Sequence, residues 1–70
     1  MKEIKINTNF IKLSSLLKLT GFAQTGGNAK LQINQGLVHV NGETCKLKGK
    51  KLHNNDVVRF NGIEYIVKVR

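Results

Sequence analysis

Residues 25–42, TGGNAKLQINQGLVHVNG, hold a helix start, a helix stop, a strand and a hairpin turn in one unbroken run. Thr25 is a good N-cap, and Gly26-Gly27-Asn28 leave the first backbone N–H groups of the helix uncovered by bulky side chains. Gly36 suits the left-handed position where that helix ends, and Asn41-Gly42 is a strong two-residue hairpin signal. Helical spacing turns Ala29, Ile33 and the following Leu37 to a core and Lys30, Gln32 and Asn34 to water. Val38 and Val40 then alternate with His39, which falls on the side away from the valines.

Upstream, residues 2–7 set Ile4 and Ile6 against Glu3 and Lys5, the period of a half-buried strand, expected at a sheet edge. From Leu13 the period changes. Leu13, Leu16, Leu17 and Thr20 share a helical face, with Ser14 as candidate cap and Gly21 as stop. The turn Phe22-Ala23-Gln24 brings the two helices together as a tight pair.

Downstream, residues 43–48 read as the partner strand of the first hairpin. Asn54-Asn55-Asp56 is turn chemistry, with Asn55 suited to the left-handed region. Residues 57–60 and 63–69 form a second hairpin about Asn61-Gly62, with Tyr65, Val67 and Val69 on one face and Glu64, Ile66 and Lys68 on the other. The fold class is α+β: two short packed helices with a small, mainly antiparallel sheet of about four to five strands. No repeat, low-complexity tract or linker divides residues 1–70, which read as a single domain.

At 70 residues such a domain hides only about 60% of the surface its unfolded chain exposes, so modest stability is expected. One cysteine makes no internal disulfide, and no Cys/His cluster has zinc spacing, so neither metal nor cofactor is expected and a reducing, cytoplasmic setting fits. The lysines near the N-terminus precede no long apolar run, so neither a signal peptide nor a membrane anchor is read. Twelve Lys and Arg against four Asp and Glu give a net charge of +8, which points to a polyanionic partner. Periodic Ile, Leu, Val and Phe and the absence of Pro argue for a folded basic module over a disordered one.

The residues resemble the RNA-binding domain named after ribosomal small-subunit protein four, the S-four domain with its alpha-L motif. Its pattern is a small hydroxyl residue usually followed by arginine, then Ala, a hydrophobic pair, Gly, alternating valines and Asn-Gly. Thr25, Ala29, Ile33, Gly36, Val38, Val40, Asn41 and Gly42 fall on it in register, Lys12-Leu13-Ser14 resembles the opening of its first helix, and Asn55-Asp56 its Gly-Asp turn. The match runs over residues 12–59, and LLKLTG at 16–21, TGGNAK at 25–30 and KGKKL at 48–52 look like a stand-alone bacterial subgroup. The resemblance implies an RNA-binding surface on the two helices and the adjoining hairpin, with phosphates near the start of the second helix, and a ribosome-associated role. Two positions depart from the pattern. Gly26 stands where the family has arginine, removing a bidentate phosphate contact, and Gln32 replaces the first of the hydrophobic pair, at some cost in helix packing unless Leu31 turns inward.

On that surface Thr25, Gly26, Gly27 and Asn28 let a phosphate approach backbone N–H groups, with Lys30 one turn in and Lys12 and Lys18 on the neighbouring helix supplying charge. The alternative is that Gly26-Gly27 only makes a tight helix entry. Lys46, Lys48, Lys50 and Lys51 are the densest basic cluster; on a persisting strand the first three form one stripe, which Gly49 can break with a bulge. Such a stripe serves either as an RNA contact or as an edge guard against aggregation. Phe10, Phe22, Phe60 and Tyr65 mostly fall at core positions, so shape and phosphate recognition of structured RNA fits better than base stacking. His39 reads as an exposed strand residue with some access to RNA, and His53 as a loop residue.

Cys45 with His39 or His53 is the only nucleophilic pairing to consider, and no third orienting group or oxyanion motif accompanies it. Glu3, Glu43, Glu64 and Asp56 are not paired for acid–base work. The expected function is non-enzymatic RNA binding, with no small-molecule substrate. The alternatives are an adaptor whose basic face docks on an acidic protein, and a general nucleic-acid binder that includes DNA.

Overall fold

A computed structural model describes residues Met1–Arg70. Its elements are β1 (Lys2–Ile6), β2 (Ile11–Lys12), α1 (Leu13–Leu19), α2 (Gly26–Asn34), β3 (His39–Val40), β4 (Glu43–Thr44), β5 (Lys51–Leu52), β6 (Val57–Phe60) and β7 (Ile63–Val69). Five strands form one sheet in the order β1-β7-β6-β3-β4, and β2 and β5 form a separate two-stranded ladder. The expected α+β class, helix pair and mainly antiparallel sheet are all present. β1 lies at the edge as expected, but it runs parallel to β7, with Ile4 opposite Val67 and Ile6 opposite Val69.

Both hairpins turn on Asn-Gly pairs with positive φ at each residue: 51° and 87° at Asn41-Gly42, 53° and 73° at Asn61-Gly62. This is the mirror-image turn whose twist matches that of paired strands. Asn55 is also left-handed, at φ 73°, and its side-chain oxygen accepts from Lys68 Nζ at 2.7 Å. Asp56 accepts from the His53 backbone N–H at 2.7 Å, while Asn41 Oδ1 accepts from the Val57 N–H at 2.9 Å. The turn between β5 and β6 is thereby tied to the first hairpin.

The core is one cluster of fourteen buried residues, supplied by the sheet face carrying Val38, Val40, Val58, Phe60, Tyr65 and Val67 and by the helix residues Leu13, Leu16, Leu17, Ala29 and Ile33 among others. Each fully buried leucine contributes about 1.5–3 kcal/mol. Phe60 stacks on Tyr65 with centroids 5.0 Å apart and meets Phe22 at 4.7 Å. Phe10 departs from the expected core placement: it is half-buried and carries the Lys51 ammonium 4.9 Å above its ring.

Several local expectations are corrected. Leu37 is 47% exposed because helix α2 has already ended: Gly36, at φ +79°, donates to the Ile33 carbonyl and Leu37 to that of Gln32, a Schellman stop that turns the chain away. Gln32 does not face water. Its Nε2 donates to the Phe22 carbonyl at 2.6 Å, bridging α2 to the inter-helix turn, while its Oε1 is buried without a partner. Leu31 does not turn inward and stays 57% exposed.

Candidate nucleic-acid interface

Helix α2 begins as the sequence indicates. Thr25 is extended at φ −137°, and its hydroxyl oxygen accepts from the Asn28 N–H at 3.1 Å. The first main-chain helical bond is Ala29 N–H to the Thr25 carbonyl at 3.0 Å, so the N–H groups of Gly26 and Gly27, both exposed residues, have no acceptor in the helix. A Cβ on Gly26 would meet nothing within 4 Å, and one on Gly27 only the Thr25 hydroxyl at 3.8 Å. The glycines are therefore not forced by crowding; they leave this helix end open.

Helix α1 begins differently. Ser14 is not its cap: the N-cap is Lys12, which makes no side-chain bond. The first two N–H groups, of Leu13 and Ser14, instead donate to the carbonyls of Lys50 at 2.9 Å and Lys48 at 3.1 Å. The basic segment thus caps α1 with its backbone and is held against it. Residues 46–50 do not continue the β4 strand, which ends at Thr44 apart from one further bond from Cys45 N–H to the Val38 carbonyl. Lys48-Gly49 forms a turn closed by the Lys50 N–H on the Leu47 carbonyl at 3.1 Å. The expected lysine stripe and bulge are replaced by a curled loop, because the carbonyls that would extend the sheet are engaged by α1.

The curl gathers charge that the sequence leaves scattered. Lys30 and Asn34 of α2 and Lys46, Lys48 and Lys50 of the loop line one open cleft of about 450 Å³, with Leu47 and Gly49 between them and no acidic residue in its lining. Lys30 lies three and four positions beyond Gly27 and Gly26, and Asn34 a further turn on, so the open helix start and the cleft share one helix face. From Gly26 to Asn34 this face runs about 12 Å at 1.5 Å per residue. Lys46 crosses the far end of α2, where a Cβ on Gly36 would meet its Cε at 3.8 Å. It brings positive charge to a helix end whose last turn has no basic residue of its own.

Beside the cleft, β2 and β5 set Lys12 directly opposite Lys51. Like charges across a strand pair are unfavourable, and neither helix has an acid in its first turn. Lys12 and Lys51 therefore face each other without an acidic residue in the first turn of either helix to offset them.

Two sequence candidates lie elsewhere. Lys18 is exposed in the last turn of α1, about 9 Å along the axis from Lys12. It suits the negative end of that helix and does not line the cleft. His39 is half-buried on the other face of the sheet, opposite Thr44 and Arg59, and lines a small recess with Gly42, Val57, Arg59 and Glu64. Sequence reasoning missed Asn34 and Leu47 as cleft residues. Helical spacing places Asn34 only on the wet face of its helix, and Leu47 carries no signal among the lysines.

Cys45 donates weakly to the Leu47 carbonyl at 3.8 Å, and no group of three or more Asp, Glu, His or Cys residues is arranged to hold a metal ion. His53 Nδ1 lies 3.9 Å from the Asp56 carboxylate, in the turn before β6. No helix is long and apolar enough to cross a membrane.

A model of the S4 domain matches residues 4–68, which is nearly the whole chain. The probable ribosome maturation protein RlbA of Bacillus subtilis (strain 168) is 41% identical over 59 residues, covering 84% of this chain and 83% of that protein.

Proposed function

The chain belongs to the S4 domain family, and on that premise we propose that it is a non-enzymatic RNA-binding protein that holds structured RNA of the ribosome or of a ribosome-assembly particle. The observation that carries this reading is the acid-free cleft of Lys30, Lys46, Lys48 and Lys50, continuous along one helix face with the open N-terminus of α2. Lysine ammoniums and backbone N–H groups both suit phosphate oxygens, and a surface made of them follows the backbone of a folded RNA. The similarity to a relative named as a probable ribosome maturation protein supports a ribosomal target and a cytoplasmic setting.

Within this surface Gly26 and Gly27 admit a phosphate to the helix start in place of the arginine that the family carries there. Lys30 supplies charge one turn along, and Lys12 and Lys51 extend the positive field beyond the cleft. Of the four aromatic side chains, Phe60 and Tyr65 are buried and Phe22 is half-buried against Phe60; Phe10 alone stands beside the basic surface, under the Lys51 ammonium. Contacts to shape and backbone therefore dominate over stacked bases.

The test is binding to ribosomal RNA fragments and to a matched DNA duplex across a salt series. A preference for RNA, with log affinity falling against log salt at a slope of roughly −3.5 to −6, fits neutralisation of about five to seven phosphates at about 0.7 to 0.9 each. Absence of binding to either nucleic acid at low salt would overturn the reading and direct attention to an acidic protein partner.

A further inference from the structure

Leu47 is 67% exposed at the centre of the lysine loop, and the cleft it lines with Lys30, Asn34, Lys46, Lys48 and Lys50 is walled mostly by carbon. A site for phosphate alone has no use for an apolar floor. Lysine stems lie along apolar surface while their ammoniums reach water, so such a cleft presents an aliphatic base ringed by positive charge. Asn34 adds an amide that both donates and accepts, and it makes no side-chain hydrogen bond within the protein's own side-chain network.

From this combination, and resting on the RNA-binding reading above, we infer that the cleft receives one unpaired nucleotide of the bound RNA. Its base and ribose lie on Leu47 and the lysine stems, its flanking phosphates meet the ammoniums of Lys30, Lys46, Lys48 and Lys50, and the Asn34 amide faces the base edge. A regular RNA helix has no group that fills such a cleft, because its bases are stacked inside and its deep major groove is closed to side chains; a bulge or junction releases one. The preferred target is therefore a helix interrupted by an extruded nucleotide.

The test compares a continuous RNA hairpin with the same hairpin carrying one bulged adenosine or uridine, titrated at fixed salt with the wild-type protein and with Leu47→Ser. The wild type is expected to favour a bulged form by about fivefold, the order expected when about 40 Å² of apolar surface on Leu47 and the lysine stems is covered at about 25 cal/mol per Å². Leu47→Ser is expected to remove most of that preference, read as the ratio of bulged to continuous affinity within each protein, with an unchanged thermal midpoint because the residue is exposed. Equal wild-type affinity for all hairpins, or a preference untouched by Leu47→Ser, overturns this inference and leaves the RNA-binding reading standing. Loss of binding to every hairpin at low salt overturns both.

Discussion

Replacing Lys30 and Lys48 together by glutamine removes two of the four ammoniums that line the cleft and leaves its framework in place. Both side chains are exposed, and Lys48 supports α1 through its backbone carbonyl rather than its amine. Each lysine that neutralises a phosphate contributes about 0.7 to 0.9 to the slope of log affinity against log salt, so the pair accounts for about 1.4 to 1.8. Raising salt fourfold, from about 50 to about 200 mM, should therefore shrink the affinity gap between wild type and variant by roughly 7- to 12-fold. Fluorescence anisotropy of a labelled ribosomal RNA fragment across that range measures both slopes. Lys18→Gln is the control, since it removes the same charge from the last turn of α1, outside the cleft. A double variant with the wild-type slope, or a Lys18→Gln variant that loses as much slope per lysine, would show that binding follows net charge and not the cleft.

Thr25→Ala removes the acceptor for the Asn28 N–H and should cost about 1 kcal/mol, lowering the thermal midpoint by about 4–8 °C, with Thr25→Ser retaining most of it. Leu17→Ala opens a cavity in a fully buried position and should cost about 2–5 kcal/mol. Against a total stability of roughly 4–10 kcal/mol for a chain of this length, denaturant titration should find the variant at or near unfolding, and a shift below 1 kcal/mol would contradict the packing described. Lys12→Gln relieves the repulsion with Lys51 and should stabilise the free protein by about 0.2–1 kcal/mol at low salt, a gain that fades at high salt while RNA affinity falls. A stabilisation that persists undiminished in high salt would mean that charge is not its source.

Local chemistry settled much of this fold in advance. Thr25, Gly36, Asn41-Gly42, Asn55 and Asn61-Gly62 act on their immediate neighbours, through a side-chain cap or a positive φ, and each does in the structure what its residue type favours. The alternation of Val38 with Val40, and of Tyr65 with Val67, selects the buried sheet face by the same short-range logic. Net charge, likewise legible without coordinates, pointed to a polyanion. What the chain could not disclose locally were the contacts between distant segments: the parallel pairing of β1 with β7, the β2–β5 ladder, and the capping of α1 by the carbonyls of Lys48 and Lys50. Those carbonyls belong to every residue type alike, so no side chain marks them. Their engagement curls residues 46–50 away from the strand that period-two spacing suggests, brings Lys46, Lys48 and Lys50 against Lys30 and Asn34, and leaves Lys18 and His39 outside. The sequence by itself determined the Thr25 cap, the Asn-Gly turns and the buried sheet face, because those choices are made within a few positions; only the tertiary structure decided how α1 is capped, where Leu37 and Gln32 lie and which lysines share a cleft, because the α1 cap and the cleft depend on backbone bonds between segments more than thirty residues apart.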